Sequence, residues 1–348
     1  MSRRHVTVDW VLANHRWGKL ARASTAHAGS ALITRLTRRF ERRPLAKPNL
    51  AYFLWRFGAN GVRAWRAMTM PISFSDARAI AQELTGVGIV VGPSDTFLSD
   101  AGRRSLSQAA ATILNATRGE AVQAILTGAA PSDGKKAFRI DLISHAIPPD
   151  SPLLQVALDD KLLEIVAGYL GMWPCLHSIG AWLNFPTGTP PASSQLWHHD
   201  PEDLKLVKAF IYLDEVKDEN GPFTYIPGTH PFGPNVSKAE KYKKKERIAD
   251  ELITKVFSPS SWKVCTGPPN TMILADTLGY HCGGKPSAGT RILVTFTYTS
   301  GTLLIEPSIW LKGRPDWISS PIQRFAVRRL GTAPPIKTAK KKPRQEKR

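Results

Sequence analysis

Apolar residues recur along this chain at two periods, and the change falls near Gly171. Before it the spacing is helical. Residues 50–66 carry Phe53, Leu54, Phe57, Val62 and Trp65 at helix-like intervals with arginines between them. Phe74–Thr85 predicts a helix with Ser75 as N-cap and Asp76 in the first turn. Ser105–Ala116 predicts another, and Leu153–Leu170 a longer one that stops at Gly171, a natural C-cap. Gly88–Val91 reads as a short buried strand. After Gly171, short β-like runs alternate with Gly, Pro and Asn clusters: His177–Phe185, Val207–Leu213, Phe223–Ile226, Thr271–Leu274 and Ile292–Tyr298. Strands at that spacing predict an antiparallel sandwich or barrel. A charged segment, 235–256, interrupts them with Lys238, Lys241, Lys243, Lys244, Lys245 and Arg247 among acidic residues. Its plain reading is a solvated helix, and its functional alternative is a lid that meets an anionic substrate.

Charge refines this picture once it is located. Of the net +19, residues 1–67 hold +12 and residues 328–348 hold +8, which leaves the body between them at −1. The organisation expected is a basic, partly helical N-terminal extension over 1–70, a main domain over 71–327, and a basic, disordered tail over 328–348. A nucleic-acid-binding domain would carry its charge on the folded body, so no specific nucleic acid is expected as partner. Residues 50–66 are expected to pack on the main domain; a weak peripheral contact with a membrane through the basic N-terminus is the alternative. Cys175, Cys265 and Cys282 lack C-x-x-C spacing and suggest reduced thiols rather than a disulfide framework or a structural zinc site. No apolar run approaches the roughly 18 residues of a membrane helix, and no signal-peptide core follows the basic start. A cytoplasmic enzyme fits these features.

The candidate chemistry lies in the β-like half. Trp197-His198-His199-Asp200 offers an H-x-D pair, His281 is a distant imidazole, and Arg291 follows ten residues later. Residues i and i+2 of an extended strand point to one side, so His198 and Asp200 can converge while His199 turns away. One imidazole and one carboxylate make a weak site, and His281, just before the last strand, is placed to complete it. Two His and one carboxylate leave adjacent coordination positions open, the ligand set of non-haem Fe(II) oxygenases. An arginine can grip a carboxylate bidentately, as a dicarboxylate cosubstrate requires. Taken singly, each residue has a plainer reading, the histidines as hydrogen-bonded or surface residues and Arg291 as an ion-pair residue.

Four motifs in order make the pattern specific. Asn220-Gly221-Pro222-Phe223 followed by Ile226-Pro227-Gly228-Thr229-His230 resembles the signature of the phytanoyl-CoA dioxygenase family. Leu204–Val216 resembles the strand that precedes it, Trp197-His198-His199-Asp200 its W-H-x-D, and Lys161–Gly171 one of its helices. His281, Gly283 and Arg291 resemble its distal His and its 2-oxoglutarate-binding Arg, and the resemblance spans roughly Phe74 to Thr299. It implies a mainly β fold with flanking helices around a double-stranded β-helix (jelly-roll, cupin-like) core. It also implies a dioxygenase that uses Fe(II), 2-oxoglutarate and O2 on a small molecule, which the lysines of 238–247 would suit if it is anionic. His198, Asp200 and His281 would be the metal ligands, and Arg291 would hold the far carboxylate of 2-oxoglutarate. His230 would be structural or would line the site. Two positions depart from the family: Gly283 stands where a small hydroxyl residue is common, and His199 where Gln is common. The same residues would also serve a zinc hydrolase with a bound water, or remain in a jelly-roll binding protein without turnover.

Overall fold

The computed structural model describes residues 54–69, 73–128, 137–231, 233–242, 245–300 and 306–332. All of these fall within one unit, Ala46–Arg348. The expectations for residues 1–53 and for the lysine-rich end of the tail lie outside the described residues.

Eleven strands are described: β1 (Ile89–Pro93), β2 (Arg139–Asp141), β3 (Ala146–Ile147), β4 (Cys175–Asn184), β5 (Leu206–Tyr212), β6 (Phe223–Tyr225), β7 (Lys263–Cys265), β8 (Thr271–Ala275), β9 (His281–Gly283), β10 (Arg291–Thr299) and β11 (Trp310–Leu311). Six of them form a sheet in the order β1-β8-β5-β10-β4-β2, and every pairing in it is antiparallel. A second antiparallel sheet runs β7-β6-β9. The short pair β3–β11 is parallel. Helices of 17 residues (Asp100–Ala116) and 11 residues (Ala77–Val87 and Asp160–Leu170) accompany the sheets, so the chain is a mixed helix–sheet protein rather than a mainly β one.

Strand periodicity sorts the side chains of the large sheet. One face sends Val207, Ala209 and Ile211 of β5 and Ile292, Val294 and Phe296 of β10 into a core shared with the helices. The other face sends Phe210, Tyr212, Ile273 and Leu293 toward Phe223, Tyr225 and Cys265 of the small sheet. Both faces are thus covered, which is why β10 is buried along its whole length and reads as a continuous run rather than an alternation.

Three helix expectations are corrected by side-chain hydrogen bonds and ion pairs. The run Leu153–Leu170 is two helices, Pro152–Ala157 and Asp160–Leu170. Asp159 breaks it, because its carboxylate accepts from the backbone of Leu162 and of Ser99 and so caps the second helix. Gly171 then ends that helix in the left-handed region, as expected. The first predicted helix begins at Ala77, not Phe74, and Asp76 does not cap it through its side chain. That carboxylate pairs instead with Lys161 at 2.8 Å. The helix predicted from Ser105 begins at Asp100, where Ser99 caps the backbone of Gly102.

Residues 54–69 pack on the body. Ala64 is buried, and the Arg63 side chain donates to the carbonyl of Ser300. Arg66 lies 5.0 Å over the Trp173 ring and 5.1 Å over that of Phe325. These arginines serve the fold rather than a solvent-facing basic stripe. Phe57, Val62, Trp65 and Met68 stay exposed. No helix among the described residues is long and apolar enough to cross a membrane.

Asp159 joins a helix start to a preceding loop from a position 5% exposed. Asp159→Ala is expected to lower stability by about 2 kcal/mol, the upper range for a lost N-cap, measured as a shifted urea midpoint at unchanged slope.

Candidate metal centre

The site begins with a backbone pairing outside the named strands. His198 N–H donates to the His281 carbonyl and His281 N–H donates to the His198 carbonyl, both at 3.0 Å. Asp200 N–H donates to the Thr277 carbonyl at 2.8 Å, so the H-x-D segment lies along the chain that leads into β9. The two imidazoles face each other with centroids 4.2 Å apart.

Second partners fix their tautomers. His198 Nδ1 lies 2.8 Å from the Leu196 carbonyl and His281 Nδ1 lies 3.0 Å from that of Gly279. A carbonyl can only accept, so each Nδ1 carries a proton and each Nε2 is the atom left to meet a metal. His281 Nε2 is 3.4 Å from one Asp200 oxygen, and His198 Nε2 is 3.9 Å from the other. Among the described residues, these three form the group whose ligand atoms, all within 4.8 Å of one another, could hold one metal ion.

Electrostatics set the charge states a metal needs. Burial, reinforced by the neighbouring His281, pushes His198 down to about 3, so its ring is neutral at ordinary pH. Burial opposes ionisation of Asp200, but Lys208 and then His281 outweigh it and hold the carboxyl well below its ordinary range. Lys208 Nζ lies 2.8 Å from Asp200 and 3.1 Å from Glu202.

The centre opens into a cavity of about 360 Å³ between the sheets. Alternation along β10 points Arg291, Leu293, Thr295 and Thr297 into it. Arg291 is 3% exposed and directly opposite Asn184 of β4, to whose side chain it donates at 3.2 Å. Its Nε and Nη1 are buried and have no partner. Burial lowers its pKa; Tyr212, Cys282 and Asp214 pull the other way. A buried guanidinium with two idle donors is costly unless an acceptor arrives.

Not every singled-out residue comes to this cavity. His199 turns away toward the Tyr280 ring, 6.2 Å between centroids. His230 is fully buried but is not among the lining residues; its Nε2 lies 3.0 Å from the Thr85 carbonyl, so its role is structural. Its motif is scaffold too: Thr229 Oγ1 accepts from Tyr280 N–H at 2.9 Å and fixes the residue before His281. Gly221 of the Asn-Gly-Pro-Phe turn has φ 66°, and a Cβ there would sit 2.5 Å from the backbone after β9. Segment 235–256 is not one helix. Among its described residues are short turns at Val236–Ala239 and Asp250–Ile253, and Ile248 pairs with Trp197.

Two contributors escaped the sequence reading. Lys208 is a lone charge inside the apolar run Leu206–Tyr212, which is the signal that could have marked it. Asn184 could not be found without the β4–β10 register.

Comparison with known proteins then bears on this geometry. Residues 97–260 match the phytanoyl-CoA dioxygenase (PhyH) family. The resemblance read from the motifs is thereby borne out. The matched stretch contains His198 and Asp200 and ends before His281 and Arg291. Among solved structures, the chain is similar to EctD from S. alaskensis with bound Fe, at 21% identity over 76% of this chain and 88% of that one (TM-score 0.45). It is similar to the non-heme alpha ketoglutarate dependent epimerase SnoN from nogalamycin biosynthesis, at 15% identity over 71% and 92% (TM-score 0.43). It is also similar to HygX from Streptomyces hygroscopicus with nickel and 2-oxoglutarate bound, at 16% identity over 68% and 89% (TM-score 0.41). No curated protein sequence matches.

The geometry assigns different fates to adjacent histidines. His198→Ala and His281→Ala are each expected to weaken Mn(II) or Fe(II) binding by about a hundredfold or more, beyond the usual loss for an outer-shell residue. His199→Ala should leave the isotherm unchanged. Calorimetric titration of the metal-free proteins measures all three.

Proposed function

We propose that the protein is an Fe(II)- and 2-oxoglutarate-dependent dioxygenase that hydroxylates a small molecule, and that its two facing sheets are the double-stranded β-helix of that class. One observation carries the reading: Arg291, buried with two unused donors, faces the same cavity as the three converging metal-ligand side chains. His198, Asp200 and His281 hold the iron in this account, and Arg291 holds the distal carboxylate of 2-oxoglutarate. The bound metal, with 2-oxoglutarate and O2, supplies the oxidant for a C–H bond and leaves succinate and CO2 as coproducts.

The chain's own residues do the rest. Carbonyls at Leu196 and Gly279 orient the two imidazoles. Lys208 holds Asp200 Oδ2, the oxygen nearer His281, and leaves Oδ1 toward His198. Asn184 fixes one arm of Arg291 and aims the others. Phe210, Phe223 and Leu293 supply the apolar wall that keeps water from this end of the cavity. The zinc-hydrolase alternative uses the same three ligands and leaves the idle donors of Arg291 unexplained.

The expected test is binding of 2-oxoglutarate to the metal-loaded protein, read by anaerobic calorimetry. Arg291→Ala should weaken it by about 10- to 100-fold, the loss for a charge-assisted pair, while leaving metal affinity alone. Equal affinity in both proteins would overturn the assignment. Gly283→Ser supplies a second prediction. A Cβ there lies 3.4 Å from Arg291 Nη2, an ordinary contact, so the hydroxyl fits beside the bound carboxylate. Its added hydrogen bond should tighten 2-oxoglutarate binding by about threefold to tenfold.

A further inference from the structure

Arg247 stands in register with the metal centre. Trp197 and Ile248 form an antiparallel pair, with hydrogen bonds of 3.0 and 2.9 Å in the two directions. One residue further along that register, Arg247 falls opposite His198. Directly opposed residues of an antiparallel pair lie on one face. Trp197 and Ile248 accordingly pack together in an apolar cluster with Ile226 and Tyr280, while His198 and Arg247 both line the cavity.

The other charges of the lining are matched. Arg139 pairs with Asp141 at 2.8 Å and lies 4.5 Å over the Trp182 ring. Lys208 bridges Asp200 and Glu202. With a divalent metal and the dianion of 2-oxoglutarate bound, Asp200 and Arg291 bring the inner site to neutrality. Arg247 is left over. Its one hydrogen bond among the described residues is from Nη1 to the carbonyl of Glu246, and it forms no ion pair there.

We infer that Arg247 binds a singly charged oxyanion of the substrate, so that the substrate is an anion held beside the C–H bond to be oxidised. The inference rests on the dioxygenase reading above. It deepens that reading by giving the substrate a charge and a contact residue. A guanidinium suits a carboxylate or a phosphate ester in the same bidentate way. The strap that carries Arg247 is fixed by the buried Ile248, which sets the exposed guanidinium at the mouth of the cavity.

The test uses Mn(II)- and 2-oxoglutarate-loaded protein and measures paramagnetic relaxation of small probes. Acetate and methyl phosphate are the two anionic arms, and acetamide is the neutral control. The methyl protons of at least one anion should relax faster in a saturable way, while those of acetamide should not, and the arm that responds names the oxyanion. Arg247→Met should reduce the effect at least tenfold, and Arg247→Lys should restore much of it. An effect that survives Arg247→Met, or that acetamide shares, overturns the inference, as does no response from either anion. The methylene protons of 2-oxoglutarate separate the two levels of the account. If they relax strongly while the anions fail, only the role of Arg247 falls. If they do not relax, the dioxygenase reading falls with it.

Discussion

His198 and His281 exchange both backbone hydrogen bonds at 3.0 Å, and this one pair organises the site. It joins the segment before β5 to the strand that continues the small sheet. It sets the rings 4.2 Å apart, and it aligns Asp200 so that its carboxylate meets both Nε2 atoms. A metal site assembled from distant sequence needs such a constraint, because the ligands must stay convergent before the ion arrives. The residues of the Asn-Gly-Pro-Phe and Pro-Gly-Thr-His motifs serve the same pair. Thr229 fixes Tyr280, the turn at Gly221 passes close behind β9, and His230 ties this layer to the helix before β1.

Buried charge in the cavity is arranged to leave specific groups unsatisfied. Lys208 keeps Asp200 ionised where burial alone would resist it, and pairs with Glu202 as well. Arg291 keeps two donors free in a dry setting, at a cost that an incoming carboxylate would offset. Arg247, exposed at the mouth of the same cavity, has no carboxylate partner among the described residues.

Much of this was legible in the chain. Short apolar runs marked the positions of β4, β5, β8 and β10 to within a few residues, since strands buried on both faces carry an unbroken apolar signal. The H-x-D spacing and the motif order marked the candidate ligands because both express local geometry. What escaped depended on long-range register or on competing hydrogen bonds. Asp159 splits a helix because its carboxylate has partners 60 residues away. Asn184 meets Arg291, and Arg247 comes to the cavity that His198 lines, only through pairings between distant segments. The charged strap looked like a helix because its lysines dominate the pattern, whereas Ile248, one buried residue, decides its path.

The most direct measurement of the central claim is the visible spectrum of the anaerobic Fe(II)-loaded protein on addition of 2-oxoglutarate. If His198, Asp200 and His281 leave adjacent positions open and Arg291 orients the cosubstrate, a weak metal-to-ligand charge-transfer band appears and saturates at one equivalent per chain. Stoichiometric iron binding with no such band at saturating 2-oxoglutarate would contradict the account.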